Sequence, residues 1–291
     1  MHIYGYKMKK FLVLLFSIVL PLAAAGQAQI NTKKVKISDL TQKVTKVVLN
    51  GNPFYDSALK DEISSRWRVS PYEFCTLEDF EKLKSSDQYY FLMLTEGQFK
   101  KEKEPGIQFF TFVKGGSEAS KGIEEMLEVV TVPFASAEDP SGRELVYLPA
   151  LIDIIQDYAV QSMEKDLTSL GGLANYSSNL NKTRNMDIIL AEEDLSKEVL
   201  ETVEESCNSK GVSVTDADTA DEYAGDGRTN TLVSYTVAPS DPVPGSFCYK
   251  MLIDTNTHQL YYFRKHRISK KVSSGFLPED IKRIMAFRPK N

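Results

Sequence analysis

Two stretches of this chain, residues 47–167 and 186–286, carry the same succession of hydrophobic periods, and that recurrence limits the fold more than any other feature. In the first stretch Val47, Val48 and Leu49 read as a buried strand. Asn52 followed by Pro53 marks a helix start, an Asn N-cap with proline at a position whose missing N–H costs nothing. Phe54, Ala58, Leu59 and Ile63 keep helical spacing to about Ser65, and Trp67 to Phe74 alternates as a strand does. Thr76-Leu77-Glu78-Asp79 has the form of a capping box and opens a short helix through Phe80 and Leu83. Tyr89 to Leu94, Ile107 to Val113 and Met126 to Val132 are further strands. Pro149 to about Leu167 reads as an amphipathic helix with Leu151, Ile152, Ile155, Tyr158, Ala159 and Met163 on one stripe.

The second stretch repeats the order. Met186 to Leu190 is a strand, and Asp194 is expected to cap a helix carrying Leu195, Val199, Val203 and Cys207. Val212 to Val214 is a strand, Asp216 to Tyr223 a short helix or turn, and Leu232 to Val237 a strand. Phe247 to Ile253 and Leu260 to Ile268 form a hairpin around the polar turn Asp254-Thr255-Asn256-Thr257, and Pro278 to Ala286 is a last helix. The expected fold is therefore α+β or α/β, with two similar lobes. Each is a mixed β-sheet packed with helices in the order βαβαβββα. Lobe one spans residues 29–168 and lobe two residues 186–291. Residues 169–185 read as a linker, because Gly171 to Asn185 is rich in Gly, Ser and Asn with little to bury. One mixed sheet running over both halves is the alternative.

Residues 1–28 read as a secretory signal peptide. Lys7, Lys9 and Lys10 form a charged start, Phe11 to Leu20 is almost unbroken in its apolarity, and Gly26-Gln27-Ala28 supplies small residues for a cut after Ala28. The apolar core is about half the length that a membrane span needs, and no cysteine near the cut offers a lipid anchor. Removing it leaves 32 basic residues against 40 acidic ones, a net charge of −8. An acidic chain argues against sequence-independent nucleic-acid binding, which requires cationic excess. No second apolar run approaches spanning length, so the mature chain is expected to be soluble, and the short Lys-Lys signal looks bacterial, which makes the periplasm or cell surface the expected location.

The turn Asp254-Thr255-Asn256-Thr257-His258-Gln259-Leu260 occupies the place of a "D-x-x-T-x-x-L" hairpin. With the element order, it resembles the N-terminal domain of the translocation protein TolB, the curli secretion protein CsgG and the penicillin-binding-protein activator LpoB. That group usually has Gly after the Thr of the turn, where this chain has His258. Asn52-Pro53-Phe54, Ala58-Leu59-Lys60, Trp67 and Pro71-Tyr72-Glu73-Phe74 also resemble a motif of uncharacterised secreted proteins of Gram-negative bacteria. The resemblance implies an envelope protein working through protein contacts, and implies no catalytic residue.

Catalytic and cofactor motifs are largely missing. After the signal only His258 and His266 remain, eight apart beside a hairpin, which is wrong for a zincin and reads as solvated strand histidines. Gly115-Gly116-Ser117 and Gly225-Asp226-Gly227 lack phosphate-loop spacing, and there is no Gly-x-Ser-x-Gly. Asp216, Asp218, Asp221, Glu222 and Asp226 fail the EF-hand pattern, with Ala220, Asp221 and Gly227 at its critical places. They read as a solvated acidic turn, with an irregular calcium site as the alternative. Cys75, Cys207 and Cys248 read as buried free thiols, or as a Cys207–Cys248 disulfide with Cys75 left odd.

Charge is unevenly spread in lobe two. Glu192 to Asp226 holds 12 acids and two lysines, whereas Lys250 to Asn291 holds ten basic residues and three acids. Arg264, Lys265, Arg267, Lys270 and Lys271, interleaved with Tyr261 and Tyr262, make the candidate partner-binding set. Alternation puts Arg264 and Lys265 on opposite faces. Such a basic edge can simply deter strand-to-strand association, or can dock an acidic partner, anionic lipid or glycan. The leading expectation is a non-catalytic secreted protein of the cell envelope that acts through protein contacts. The alternatives are a small-ligand binder using the inter-lobe cleft, and a hydrolase with a dispersed site.

Overall fold

The computed structural model describes residues 23–24, 37–164, 171–207 and 211–289. The expected signal segment 1–28 lies outside them, except for a two-residue strand β1 (Ala23–Ala24) running parallel beside Glu96 and Gly97. Among the described residues no helix is long and apolar enough to cross a membrane.

Lobe one runs β2 (Val44–Val48), α1 (Pro53–Arg66), β3 (Tyr72–Cys75), α2 (Leu77–Leu83), β4 (Tyr89–Gly97), β5 (Ile107–Lys114), β6 (Leu127–Ser136) and α3 (Arg143–Glu164). Lobe two runs β7 (Asp187–Ala191), the short helices α4 (Lys197–Leu200) and α5 (Val203–Ser206), and β8 (Val212–Thr215). It continues with α6 (Ala217–Asp226), β9 (Thr231–Val237), β10 (Phe247–Asp254), β11 (Leu260–Arg267) and α7 (Pro278–Met285). The sheets have one plan. In the first the order is β3-β2-β4-β5-β6, in the second β8-β7-β9-β10-β11. In each, the first three strands of the path are parallel and the last two antiparallel. Parallel neighbours need a crossover, which α1 supplies in lobe one and α4 with α5 in lobe two.

Local chemistry accounts for several boundaries. The Asn52 side chain accepts hydrogen bonds from the N–H groups of Phe54 (3.1 Å) and Tyr55 (3.4 Å), and Pro53 opens α1. Thr76 and Asp79 close a reciprocal capping box on α2. Strand alternation separates the cores. Tyr90 and Leu92 enter the main core, whereas Phe91 and Met93 face Phe80 and Ile123 on the far side of the first sheet.

Helix α3 is buried around much of its circumference, as a helix enclosed by protein must be. Its Leu148, Leu151, Ile152 and Ile155 share one hydrophobic core with α1, the first sheet, and Val233, Tyr235, Met251 and Ile253 of the second sheet. The seam between the lobes is thus filled along most of its length. The ring of Tyr147 in α3 stacks on Tyr235 of β9 at 4.2 Å. Beside it Arg143 ties α3 to lobe two, with Nη1 3.1 Å from Asp194 and Nε 3.0 Å from Asp221. The opposite face of the second sheet buries Leu190, Leu252 and Tyr262 under Val199, Cys207, Ile281 and Ile284.

Five expectations change. Residues 67–71 are not strand: Trp67 caps the end of α1, its Nε1 bonds to Ser70 Oγ, and pairing begins only after Pro71, which has no N–H to donate. Helix α3 starts six residues before Pro149, which has no N–H to give the Leu145 carbonyl, and the helix continues through that missing bond. Asp194 caps no helix. It lies in a 3-10 turn, its carboxylate is buried against Arg143, Ser234 Oγ (2.6 Å) and Thr236 N–H (3.1 Å), and Ser196 caps α4 instead.

The linker is the fourth difference. Residues 165–170 lie outside the description, but Leu173–Asn185 forms 3-10 turns and buries Leu173, Tyr176, Leu180 and Thr183. It closes the edge of β11: Ser177 Oγ accepts from the Phe263 N–H and donates to the Phe263 carbonyl, both at 3.0 Å, and Asn179 Nδ2 donates to the Leu260 carbonyl. Polar residues read as a linker with little to bury here satisfy a sheet edge. Fifth, the Cys207–Cys248 disulfide is absent, and all three cysteines are free and buried. Cys248 Sγ accepts the Gly275 N–H at 3.2 Å, while Cys207 packs into the core under α7.

Candidate functional site

The seven candidate residues do not form one surface. Tyr262 is buried, its hydroxyl donating to Asp280 Oδ1 at 2.5 Å. Arg264 turns to the same side, 3.0 Å from Asp280 and 3.3 Å from Glu279. Asp280 also takes the ammonium of fully buried Lys250 and the Leu277 N–H that opens α7. Burial pulls the Asp280 carboxyl upward, but the Lys250 ammonium and these hydrogen bonds hold it below the usual range. This cluster fastens α7 to the sheet.

Lys265 and Arg267 turn the other way and are exposed. The Lys265 ammonium lies 5.3 Å and the Arg267 guanidinium 5.2 Å from the centroid of Phe247, a cation–π pair on one ring. Exposed Lys270 and Lys271 follow in the turn bridged by Ser269 and Val272. Ser177 fixes which backbone groups of β11 point outward, so those of Lys265 and Arg267 point outward too. Among the described residues nothing pairs with them. The basic end therefore consists of four cations beside two residues of open strand.

Tyr261 lies elsewhere, in the wall of a cavity of about 960 Å³ where α3 meets the β10–β11 turn and the 173–185 segment. Three carboxylates line it, Asp153, Asp157 and Asp254, with Lys182 and His258. The Asn256 and Thr257 N–H groups bind Asp254 Oδ1 at 3.0 and 2.7 Å and shape the turn. His258 then adopts φ +56°, a left-handed conformation that favours glycine. What holds the imidazole there is Asp153, whose Oδ2 lies 2.7 Å from His258 Nδ1 and 3.0 Å from Arg66 Nη1. Glu62 grips the same guanidinium at 2.6 Å. The left-handed turn position thus carries a side chain built into the seam. Sequence reading placed His258 as a solvated strand histidine. Nothing local to the turn signals this role, because its partner Asp153 stands 105 residues away.

The remaining motifs resolve structurally. His266 Nε2 lies 2.8 Å from the Ser273 carbonyl, and burial lowers its pKa. Asp216 caps α6, Asp221 pairs with Arg143 and Asp226 with Arg228, so the acidic turn is dispersed. Among the described residues no group of three or more His, Cys, Asp or Glu is placed to hold a metal. No side-chain hydroxyl or thiol among them hydrogen-bonds to either histidine, the arrangement a nucleophile and base require. Comparison of the chain with protein-family models, curated proteins and solved structures gives no match.

Proposed function

We propose that this is a non-catalytic binding protein of the bacterial envelope whose basic end docks an extended acidic segment of a protein partner. The observation that carries this reading is the change along β11. Its edge is sealed by Ser177 and Asn179 up to Phe263, then opens at Lys265 and Arg267, where the exposed cations collect. An extended chain laid there would meet outward N–H and C=O groups for main-chain bonds, with four positive side chains to select acidic residues. The signal-like residues 1–28 support an exported protein.

A photo-cross-linking residue in place of Lys270, used in intact cells, tests the reading. The expected result is capture of one acidic envelope protein. Capture should weaken as salt rises and vanish when Arg267→Glu and Lys271→Glu are added. Unchanged capture in the charge-reversed protein would refute electrostatic docking.

A further inference from the structure

The second sheet has two open edges, and they differ in charge. On one side is β11, whose last part turns the backbone of Lys265 and Arg267 outward. On the other side is β8. The Gly211 carbonyl accepts from the Ile188 N–H, so the parallel ladder with β7 engages Gly211, Ser213 and Thr215 and turns the backbone groups of Val212 and Val214 outward. Among the described residues no backbone group pairs with them. Open edges are normally guarded by proline, charge or a bulge. Lobe one keeps to this: β3 carries Glu73 just after Pro71, and β6 carries Pro133 with two register shifts against β5. In β8 the sequence is Val-Ser-Val-Thr, with no such guard. The two edges also run the same way, since β8, β7 and β9 are mutually parallel and two antiparallel steps lead from β9 to β11. Their C-terminal ends therefore lie at one end of the sheet. Exposed Glu192, Glu193, Asp216 and Asp218 follow β7 and β8 there, whereas Lys265, Arg267, Lys270 and Lys271 stand at that end of β11.

We propose that the acidic segment docked by the basic end is β8 of a second copy of this chain, so that copies join head to tail through their second sheets. The inference rests on the reading of the basic end given above and names its partner. With β8 laid parallel to β11, the Val214 N–H can donate to the Lys265 carbonyl and the Val214 carbonyl can accept from the Arg267 N–H. That register sets Ser213 beside Lys265 and Thr215 beside Arg267, and the chain beyond carries Asp216 and Asp218 toward Lys270 and Lys271. Antiparallel pairing would send Asp216 toward Phe263, where Ser177 and Asn179 already close the edge. Charge and strap thus select the same direction, the one in which the sheet continues from copy to copy. The contact is heterologous: each copy uses one edge and keeps the other free, so assembly does not close at two. An unrelated acidic protein would satisfy the cations but leave the unguarded β8 edge unexplained. Two outward residues on each side make a small contact, which is therefore weak and sensitive to salt.

The test is sedimentation equilibrium of the purified mature chain, residues 29–291, from about 10 μM to about 1 mM. The weight-average mass should rise with concentration past that of two copies, and should fall to that of one copy in about 0.5 M sodium chloride. Val214→Pro removes an N–H that points away from β7, so the thermal transition should stay near that of the parent while association weakens about tenfold or more. Asp218→Lys and Lys270→Glu should each impair association alone. An equimolar mixture of the two should regain it, because every mixed contact then joins opposite charges. A single-copy mass at all concentrations, a mass that levels at two copies, or association untouched by Val214→Pro would overturn the inference. If the chain stays single while Lys270 still captures a different acidic protein in a salt-sensitive way, the second-copy assignment falls and the basic-end reading stands. Association that persists through Arg267→Glu with Lys271→Glu would overturn both.

Discussion

Glu128, on β6 where the lobes approach, is half-buried with Lys265, Tyr158 and Tyr249 around it. Burial raises its pKa to about 7, and the Thr131 hydroxyl and Lys265 ammonium pull it back only in part. The folded value exceeds the unfolded one, so the group's favourable contribution is complete below pH 4.5 and is lost as pH rises through about 7. Glu128→Gln should stabilise the protein by about 1–3 kcal/mol at pH 8 and hardly at all near pH 4.5. Urea unfolding at the two pH values measures this, and an equal effect at both would contradict it. The thiols behave in the same physical sense. Burial raises Cys75 to about 11 and Cys248 to about 12, and raises Cys207 as well. All three should resist alkylation at pH 8 in the folded protein and react after unfolding without reductant. Two missing thiols in mass spectrometry would reinstate a bridge.

Among the elements, those with chemistry local to a few residues were legible in advance. Asn52-Pro53 and Thr76-x-x-Asp79 announce helix starts because cap and helix are neighbours in the chain. The order of strands and helices in each lobe, and the hairpin of lobe two, followed from apolar runs of strand length. What could not be read depends on distant partners. Asp194 has the composition of a cap, yet its role is set by Arg143, 51 residues earlier, and Ser234, 40 later. Leu173–Asn185 has the composition of a linker, yet it is ordered by the β11 edge it covers. The candidate site fared likewise: the cations at 265–271 were visible as a charge run, whereas the seam cavity is assembled from four segments. The strap makes its own prediction. Ser177→Ala should leave the Phe263 N–H and carbonyl without their partner and cost about 1–3 kcal/mol. Amide exchange at Phe263 should accelerate well beyond that of Tyr262, which faces β10. Equal acceleration at both would point to general loosening instead.

At the scale of the molecule, Arg143 makes the most buried ion pair of several polar ties, Asp153–His258 and Tyr147–Ser234 among them, across a seam whose centre is apolar contact. Asp194 is almost fully buried, so Arg143→Ala would strand a carboxylate without its counter-charge, at a cost of about 3–5 kcal/mol. The chain supplies a convenient reporter. Its one tryptophan, Trp67, is buried in lobe one against Phe112, so its fluorescence follows that lobe, while far-ultraviolet dichroism follows both. In the parent protein the two signals should change together during urea unfolding, because one hydrophobic core joins the lobes. In Arg143→Ala they should separate. Coincident transitions in the variant would mean that the shared core and the remaining polar links couple the halves without Arg143.

The placement of α3 sets a limit on how this molecule can be divided. Although lobe two has its own sheet and helices, its inner face carries Val233, Tyr235, Met251 and Ile253 against a helix that the chain makes before that lobe begins. Expressed alone from residue 186, it would offer those side chains to water and self-associate; returned to the company of residues 29–168 added as a separate chain, it should regain a partner and dissolve. The two halves are alike in plan yet unequal in independence, since one of them folds on a surface borrowed from the other.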